Sequence, residues 1–311
     1  MRRLISFLTV TIVILTIIPS AVAKDAVGPD FLLINPHART AAMNNCFVGI
    51  VDDTNSTFFN PAGISFAKKD ILALTHFASF ADSNYEYVGV IVPRDGFSYG
   101  GSVMYDSVSD FHTLDGSGAE TGLVNNYDLL LTASSAAFVV KNLAVGLSAK
   151  FFRSVFMEYT KSGFAFDTGL LVKISRNPDV YIGAALQNIG KQSAFVSQAD
   201  VLPLNLKIGL GYVYDVSKDF KITADVDTNR ILVQDDGADI GGGVELDFYD
   251  LFYLSAGIGA KQEASNVTAG AGIHINDLFR LSYAYQPFED LGATHRISID
   301  LYINEIWNRL K

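Results

Sequence analysis

Leu204-Asn205-Leu206-Lys207-Ile208-Gly209-Leu210-Gly211-Tyr212-Val213-Tyr214 is the stretch from which the fold is read. Leu204, Leu206, Ile208, Leu210, Tyr212 and Tyr214 fall on one face of an extended chain, and Asn205, Lys207, Gly209 and Gly211 fall on the other. A period of two signals a strand, because successive side chains of a pleated chain point to opposite faces. Its length also suits a tilted strand that crosses a bilayer, for which roughly 9 to 11 residues suffice. The pattern recurs along the chain. Residues 278–286 set Phe279, Leu281, Tyr283 and Tyr285 against Arg280, Ser282 and Gln286. Residues 219–226 set Phe220, Ile222, Ala224 and Val226 against Lys221, Thr223 and Asp225. Residues 294–303 set Ile297, Ile299, Leu301 and Ile303 against Arg296, Ser298, Asp300 and Tyr302.

Alternation alone does not name the solvent, since a soluble sandwich alternates too. Composition does more. Only 18% of the 311 residues are charged, and the mean hydropathy is +0.25. The faces opposite the apolar ones carry Gly241, Gly243, Gly257, Gly259, Gly270 and Gly272 with isolated charges, where a wetted surface would be dense in Lys and Glu. Past residue 23 no uninterrupted apolar run reaches the roughly 18 residues of a membrane-crossing helix. Because only helices and closed barrels satisfy their backbone in lipid, the predicted fold is all-β, a transmembrane antiparallel β-barrel. The segments at 70–80, 84–92, 96–106, 125–139, 142–153, 163–173, 179–187, 203–214, 219–226, 237–246, 251–260, 266–275, 278–286 and 294–303 make fourteen strands. Tight connections at 93–95, before Asn142, and at 176–178, 217–218, 249–250 and 276–277 suit the periplasmic side. Longer ones at 107–124, 154–162, 188–202, 227–236 and 287–293 suit the outer side.

The chain therefore divides into three regions. Residues 1–23 read as a signal peptide: Arg2 and Arg3, an apolar run from Leu4 to Ile18, and the small-x-small site Ala21-Val22-Ala23. Residues 24–68 carry Phe31, Leu32, Leu33, Ile34, Met43, Phe47, Val48, Ile50, Phe58 and Phe59, too many apolar groups to leave in water, and are predicted to form an N-terminal plug. Residues 69–311 form the barrel, which places the protein in the outer membrane in contact with its lipid.

Several chemistries are excluded. A formal charge of −10 argues against nucleic-acid binding. Cys46, the single cysteine, forms no intrachain disulfide or Cys-rich zinc site, and reads as a buried small residue of the plug. His37, His76, His112, His274 and His295 lack metal-ligand spacing, so no metal or cofactor is predicted. Gly257-Ile258-Gly259-Ala260-Lys261 lacks the Gly before Lys and the Ser or Thr after it that a phosphate loop needs. The acidic loop with Asp106, Asp110, Asp115 and Glu120 fits no EF-hand spacing. No nucleophile elbow or Ser-His constellation is present, and no catalytic residue is assigned.

Phe31-Leu32-Leu33-Ile34-Asn35-Pro36-His37-Ala38-Arg39-Thr40-Ala41-Ala42-Met43, the Asp52-Asp53 pair, and Phe58-Phe59-Asn60-Pro61-Ala62-Gly63-Ile64 together resemble the N-terminal signature of the PorV/PorQ family of outer-membrane proteins, relatives of the FadL-type fatty-acid transporters. That resemblance implies a plug bearing the Asn60-Pro61-Ala62-Gly63 element, followed by a fourteen-stranded barrel. On the residues alone the element is a turn: Pro fixes φ, Asn accepts local hydrogen bonds and Gly permits a left-handed conformation. Where the family often has Met-Gly-Gly-Ala, this chain has Met43-Asn44-Asn45-Cys46, and it runs past its last strand as Asn304-Glu305-Ile306-Trp307-Asn308-Arg309-Leu310-Lys311.

By that resemblance, the function is a non-enzymatic partner of secreted proteins in a type IX-like secretion system, meeting cargo proteins and secretion-system components at the outer membrane. The alternative is a FadL-like transporter of a hydrophobic small-molecule ligand. Lys150, Asp167, Lys173, Lys207, Lys221, Asp225, Asp239, Glu245, Arg280, Arg296 and Asp300 are assigned to the lumen face, where mutual pairing would stiffen the barrel. They make the lumen polar for a fatty-acid path. In the outer connections, Phe111, Leu114, Leu123, Phe195, Val196, Val201 and Leu202 are the apolar groups expected to meet a protein surface.

Overall fold

The computed structural model describes residues 28–50, 52–79, 83–108, 112–124, 126–194, 200–234, 237–260, 265–288 and 292–310. The expected signal peptide therefore lies outside the described residues, as do Phe111, Phe195 and Val196. Strands run at β1 Ile71–Ala78, β2 Ser83–Val92, β3 Phe97–Val108, β4 His112–Leu114, β5 Glu120–Leu123, β6 Asn126–Val140, β7 Leu143–Phe156 and β8 Tyr159–Arg176. They continue with β9 Asp179–Gln192, β10 Asn205–Asp215, β11 Phe220–Ile231, β12 Asp239–Phe248, β13 Phe252–Ala260, β14 Ser265–Ile275, β15 Phe279–Phe288 and β16 Gly292–Tyr302. All but β4 and β5 pair into one closed antiparallel barrel of fourteen strands, sealed by β1 against β16 with Ile71 opposite Tyr302. Strand number and alternation match the sequence reading.

The barrel is inverted relative to a soluble protein. On β13, Leu254 and Ile258 are 51% and 61% exposed, while Tyr253 and Ser255, on either side of Leu254, are buried. Apolar side chains thus form the outer wall and polar ones the interior, the arrangement of a lipid-facing barrel. On β10, Lys207 points inward, and its neighbour Ile208 is 46% exposed. Among the described residues, no helix is long and apolar enough to cross a membrane.

The tight turns expected at 93–95, before Asn142, and at 176–178, 217–218, 249–250 and 276–277 lie at one end. Asn276 and Asp277 have φ of 50° and 55°, the two positive values of a hairpin turn whose twist matches its strands. Three expectations change at the ends. The connection at 154–162 is a two-residue turn, Met157 (φ 55°) and Glu158, because β7 and β8 pair on to Phe156 opposite Tyr159. The connection at 107–124 holds the β4–β5 hairpin. Leu202 is buried with Phe31 and Leu32 and offers nothing to a partner. The chain also leaves the barrel before its end: Ile303–Leu310 is a helix, so the barrel stops at Tyr302, short of the predicted 69–311 span.

Candidate functional site

The interior is occupied by residues 28–50 and 52–66, which travel around the wall from strand to strand. Gly28 starts at the outer end, its N–H donating to the Val201 carbonyl at 3.1 Å. Phe31 meets Phe152 edge to face, and with Leu32 it packs into a cluster containing Phe77, Tyr85, Tyr87, Met104 and Leu130. Helix α1, Ala38–Ala42, is built of small residues apart from Arg39 and lies against β14, β15 and β16. Asn44 and Asn45 turn the chain with φ of 55° and 58°. Residues 47–50 cross β11 and β10; then helix α2, Ser56–Phe59, and a 3-10 turn at Pro61–Phe66 return along β8, β7 and β6.

Glycine lets the segment lie this close. A Cβ added at Gly146 would overlap the Pro61-Ala62 backbone, and one at Gly183 the Val48 carbonyl. Gly209 and Gly211 face residues 48–50, Gly243 and Gly257 face Met43 and Asn44, and Gly270 faces Ala42. A main chain seated on a wall must still satisfy its own polar groups. Asp227 Oδ2 accepts from the N–H groups of Phe47 (2.6 Å) and Val48 (3.0 Å), and Asp225 Oδ2 accepts from Gly49 (3.0 Å) and Ile50 (2.9 Å). Gln187 donates to the Phe58 carbonyl. Asn60, Pro61, Ala62 and Gly63 are all buried. Asn60 Nδ2 donates to the Leu170 carbonyl at 2.9 Å, and its Oδ1 accepts from Ala62 N–H at 3.2 Å.

A chain of alternating charges links the inner segment to β12, β15 and β16. Arg39 donates to both oxygens of Glu245 at 2.8 Å, and its remaining amino group reaches Asp52 at 2.9 Å and Asp53 at 3.0 Å. Asp53 also accepts from Arg280 at 3.1 Å, Arg280 donates to Asp300 at 2.6 Å, and Asp300 meets His37 at 2.9 Å. All of these are buried except Asp52, whose side chain is 56% exposed. Burial opposes charge on Asp53, yet the guanidinium groups of Arg39 and Arg280 hold its carboxyl below the ordinary range. Burial likewise opposes charge on Arg39, and Glu245 and Asp52 keep it well above its usual value.

The other assigned charges are placed apart. Lys150 pairs with Asp167 at 2.7 Å. Lys207 sits over the rings of Phe59 and Phe58 at 4.5 and 5.7 Å. Arg296 stacks on Phe77 at 4.0 Å and donates to Gln286, with no carboxylate partner among the described residues. His37, Arg39 and Asp227 were not singled out from the sequence. Arg39 had a signal, being the only charged residue between Asp30 and Asp52.

Two cavities flank the inner segment, and no residue lines both. One of about 350 Å³ opens toward the tight-turn end beside Asp52, Asp53, Lys68, Tyr181 and Tyr302. One of about 480 Å³ opens at the outer end beside Asp30, Phe31, Tyr85, Asp106, Asp128 and Lys161. No cluster among the described residues suits a metal ion.

Fold and interior together define an outer-membrane barrel of the FadL-like architecture. The toluene transporter TbuX of Ralstonia pickettii superposes with a TM-score of 0.56 at 13% identity, over 85% of this chain and 96% of that one. A Pseudomonas aeruginosa FadL homologue gives 0.55 at 10% identity, over 90% and 100%. The Pseudomonas putida toluene transporter TodX gives 0.55 at 12%, over 85% and 96%. No curated protein sequence matches the chain. The profile of the type IX secretion system membrane protein PorP/SprF family matches residues 141–301, and the chain belongs to that family. The match begins past residues 31–63, where the PorV/PorQ resemblance lay, and it is PorP/SprF that is identified.

Proposed function

We propose that this barrel serves type IX secretion as a closed, non-catalytic docking protein, whose outer end engages exported proteins and whose periplasmic end meets other secretion components. The occupied interior is the observation that carries this reading. The Glu245-Arg39-Asp53-Arg280-Asp300-His37 chain and the glycine-seated backbone stand between two cavities that share no lining residue. The Asn60-Pro61-Ala62-Gly63 turn acts here as part of the plug, and the lumen charges hold it in place. The tip of the β4–β5 hairpin (residues 115–120) is exposed on the same side of the barrel as the long connections and is the docking edge of this reading. Nothing in this role calls for a cofactor or a chemical step.

A transporter of hydrophobic small molecules is the second reading, favoured by the likeness in fold to TbuX and TodX. It requires the plug to yield. In a strain lacking the gene, replacing residues 112–123 by a short turn in the restored copy should leave a heat-modifiable barrel in the membrane and abolish export of surface proteins. Normal export with lost uptake of an aromatic hydrocarbon would overturn the docking role and install the transporter.

A further inference from the structure

Helix α3, Ile303–Leu310, follows β16 without a break and takes no part in the barrel or its interior. Its apolar residues fall at helical spacing: Ile303, Ile306 and Trp307 share one face, while Asn304, Glu305, Asn308 and Arg309 occupy the rest. Ile303 continues the outward parity of Ile297, Ile299 and Leu301 on β16 and is 38% exposed. Trp307 is 61% exposed.

Two hydrogen bonds set the direction of the helix. Ile303 N–H donates to the Asp70 carbonyl at 2.9 Å, which fixes the start beside β1. Arg309 donates to the Asn276 carbonyl at 2.7 Å, in the turn between β14 and β15. Eight residues of helix span about 12 Å, and strands lie about 4.8 Å apart, so the axis runs along the rim past β15 instead of hanging below the mouth. The neighbouring rim carries further exposed apolar groups: Tyr249 at 67%, Leu251 at 58% and Phe252 at 38%.

We infer that α3 is an interfacial anchor that lies in the headgroup region of the periplasmic leaflet, with Ile303, Ile306 and Trp307 in phospholipid. The occupant is lipid because the apolar face continues the lipid-facing parity of β16 and shares its end of the barrel with further exposed apolar groups. A short helix with an indole at the boundary and a polar remainder has the character of a segment that lies in a membrane surface without crossing it. The anchor would fix the depth of the barrel at the end where its last strand stops.

Trp307 is the single tryptophan of the chain, so its fluorescence reports on this helix alone. The test uses the full barrel reconstituted in phosphatidylcholine vesicles. Phospholipids brominated near the headgroup should quench the emission strongly, those brominated near the chain end should quench it less, and aqueous iodide should have little effect. An Ile306→Glu variant that retains heat-modifiability should reverse the pattern, with lipid quenching lost and iodide quenching gained. Emission of the unaltered protein that ignores brominated lipid and is quenched by iodide would overturn the anchor and leave the face to a periplasmic protein.

Discussion

The two halves of the lumen wall hold the same segment by different means. From β7 to β14 the contact is main chain on main chain, with glycine at Gly146, Gly183, Gly209, Gly243 and Gly257 and buried carboxylates at Asp225 and Asp227 receiving the amide groups. Around β1, β2, β3 and β6 the contact is side chain on side chain, Phe31 and Leu32 among Phe77, Tyr85, Tyr87, Met104 and Leu130. Interdigitated side chains can repack around a change of shape, whereas a backbone pressed on glycine has no spare volume. The glycine half therefore fixes the segment, and the aromatic half accommodates it.

The largest expected effect removes the guanidinium that ties the inner segment to the wall at β12. Arg39→Met strands Glu245 in the interior and leaves Asp53 with Arg280 as its remaining cation, and should cost about 3 to 5 kcal/mol, read as a lower urea midpoint in detergent, with Glu245→Gln added on top recovering part of the loss. Placing a charge on the lipid side of the glycine half comes next. Ile208→Lys should cost about 2 to 4 kcal/mol near the midplane, and normal assembly of that variant beside failure of Lys207→Leu would show the register of β10 to be shifted by one.

The halves can then be compared directly. Gly183→Val should cost about 1 to 3 kcal/mol through overpacking, and Met104→Leu in the aromatic half less than about 1.5 kcal/mol; equal midpoints for the two would erase the distinction. The smallest effect is expected from a lock. A Cβ at position 241 would lie 2.7 Å from Cys46 Sγ, close to the spacing across a disulfide, so Gly241→Cys should crosslink on oxidation. The crosslinked barrel should export surface proteins at the unaltered rate, and arrested export on oxidation, relieved by reductant, would mean that the segment moves during work.

The barrel was legible because its signal is local. Period-two alternation in residues 204–214 sets both the strand and its facing, and β10 keeps that register. Strand ends were less legible: β11 was read as stopping at 226, yet it pairs on to Ile231, and Asp227 was lost with the truncation. Extended pairing beyond the apolar belt relies on partner strands, and alternation of hydropathy fades there. The partners of the charges were not legible at all, since Arg39 and Glu245 stand 206 residues apart. Helix α3 spans only two turns, too short for a helical period to stand out after a strand.

The N-terminal segment precedes every strand that grips it. Phe47 is held by a residue 180 positions later and His37 by one 263 positions later, so a segment that precedes the barrel strands is completed only by the last of them. The closed sheet surrounds it like a sleeve, from β1 to the strand that meets β1 again. Native contacts at such separations form slowly. Closure of the β1–β16 seam thus reports that the core within has been captured, and a chain without its first segment would bring to the membrane a sheet with nothing to close on.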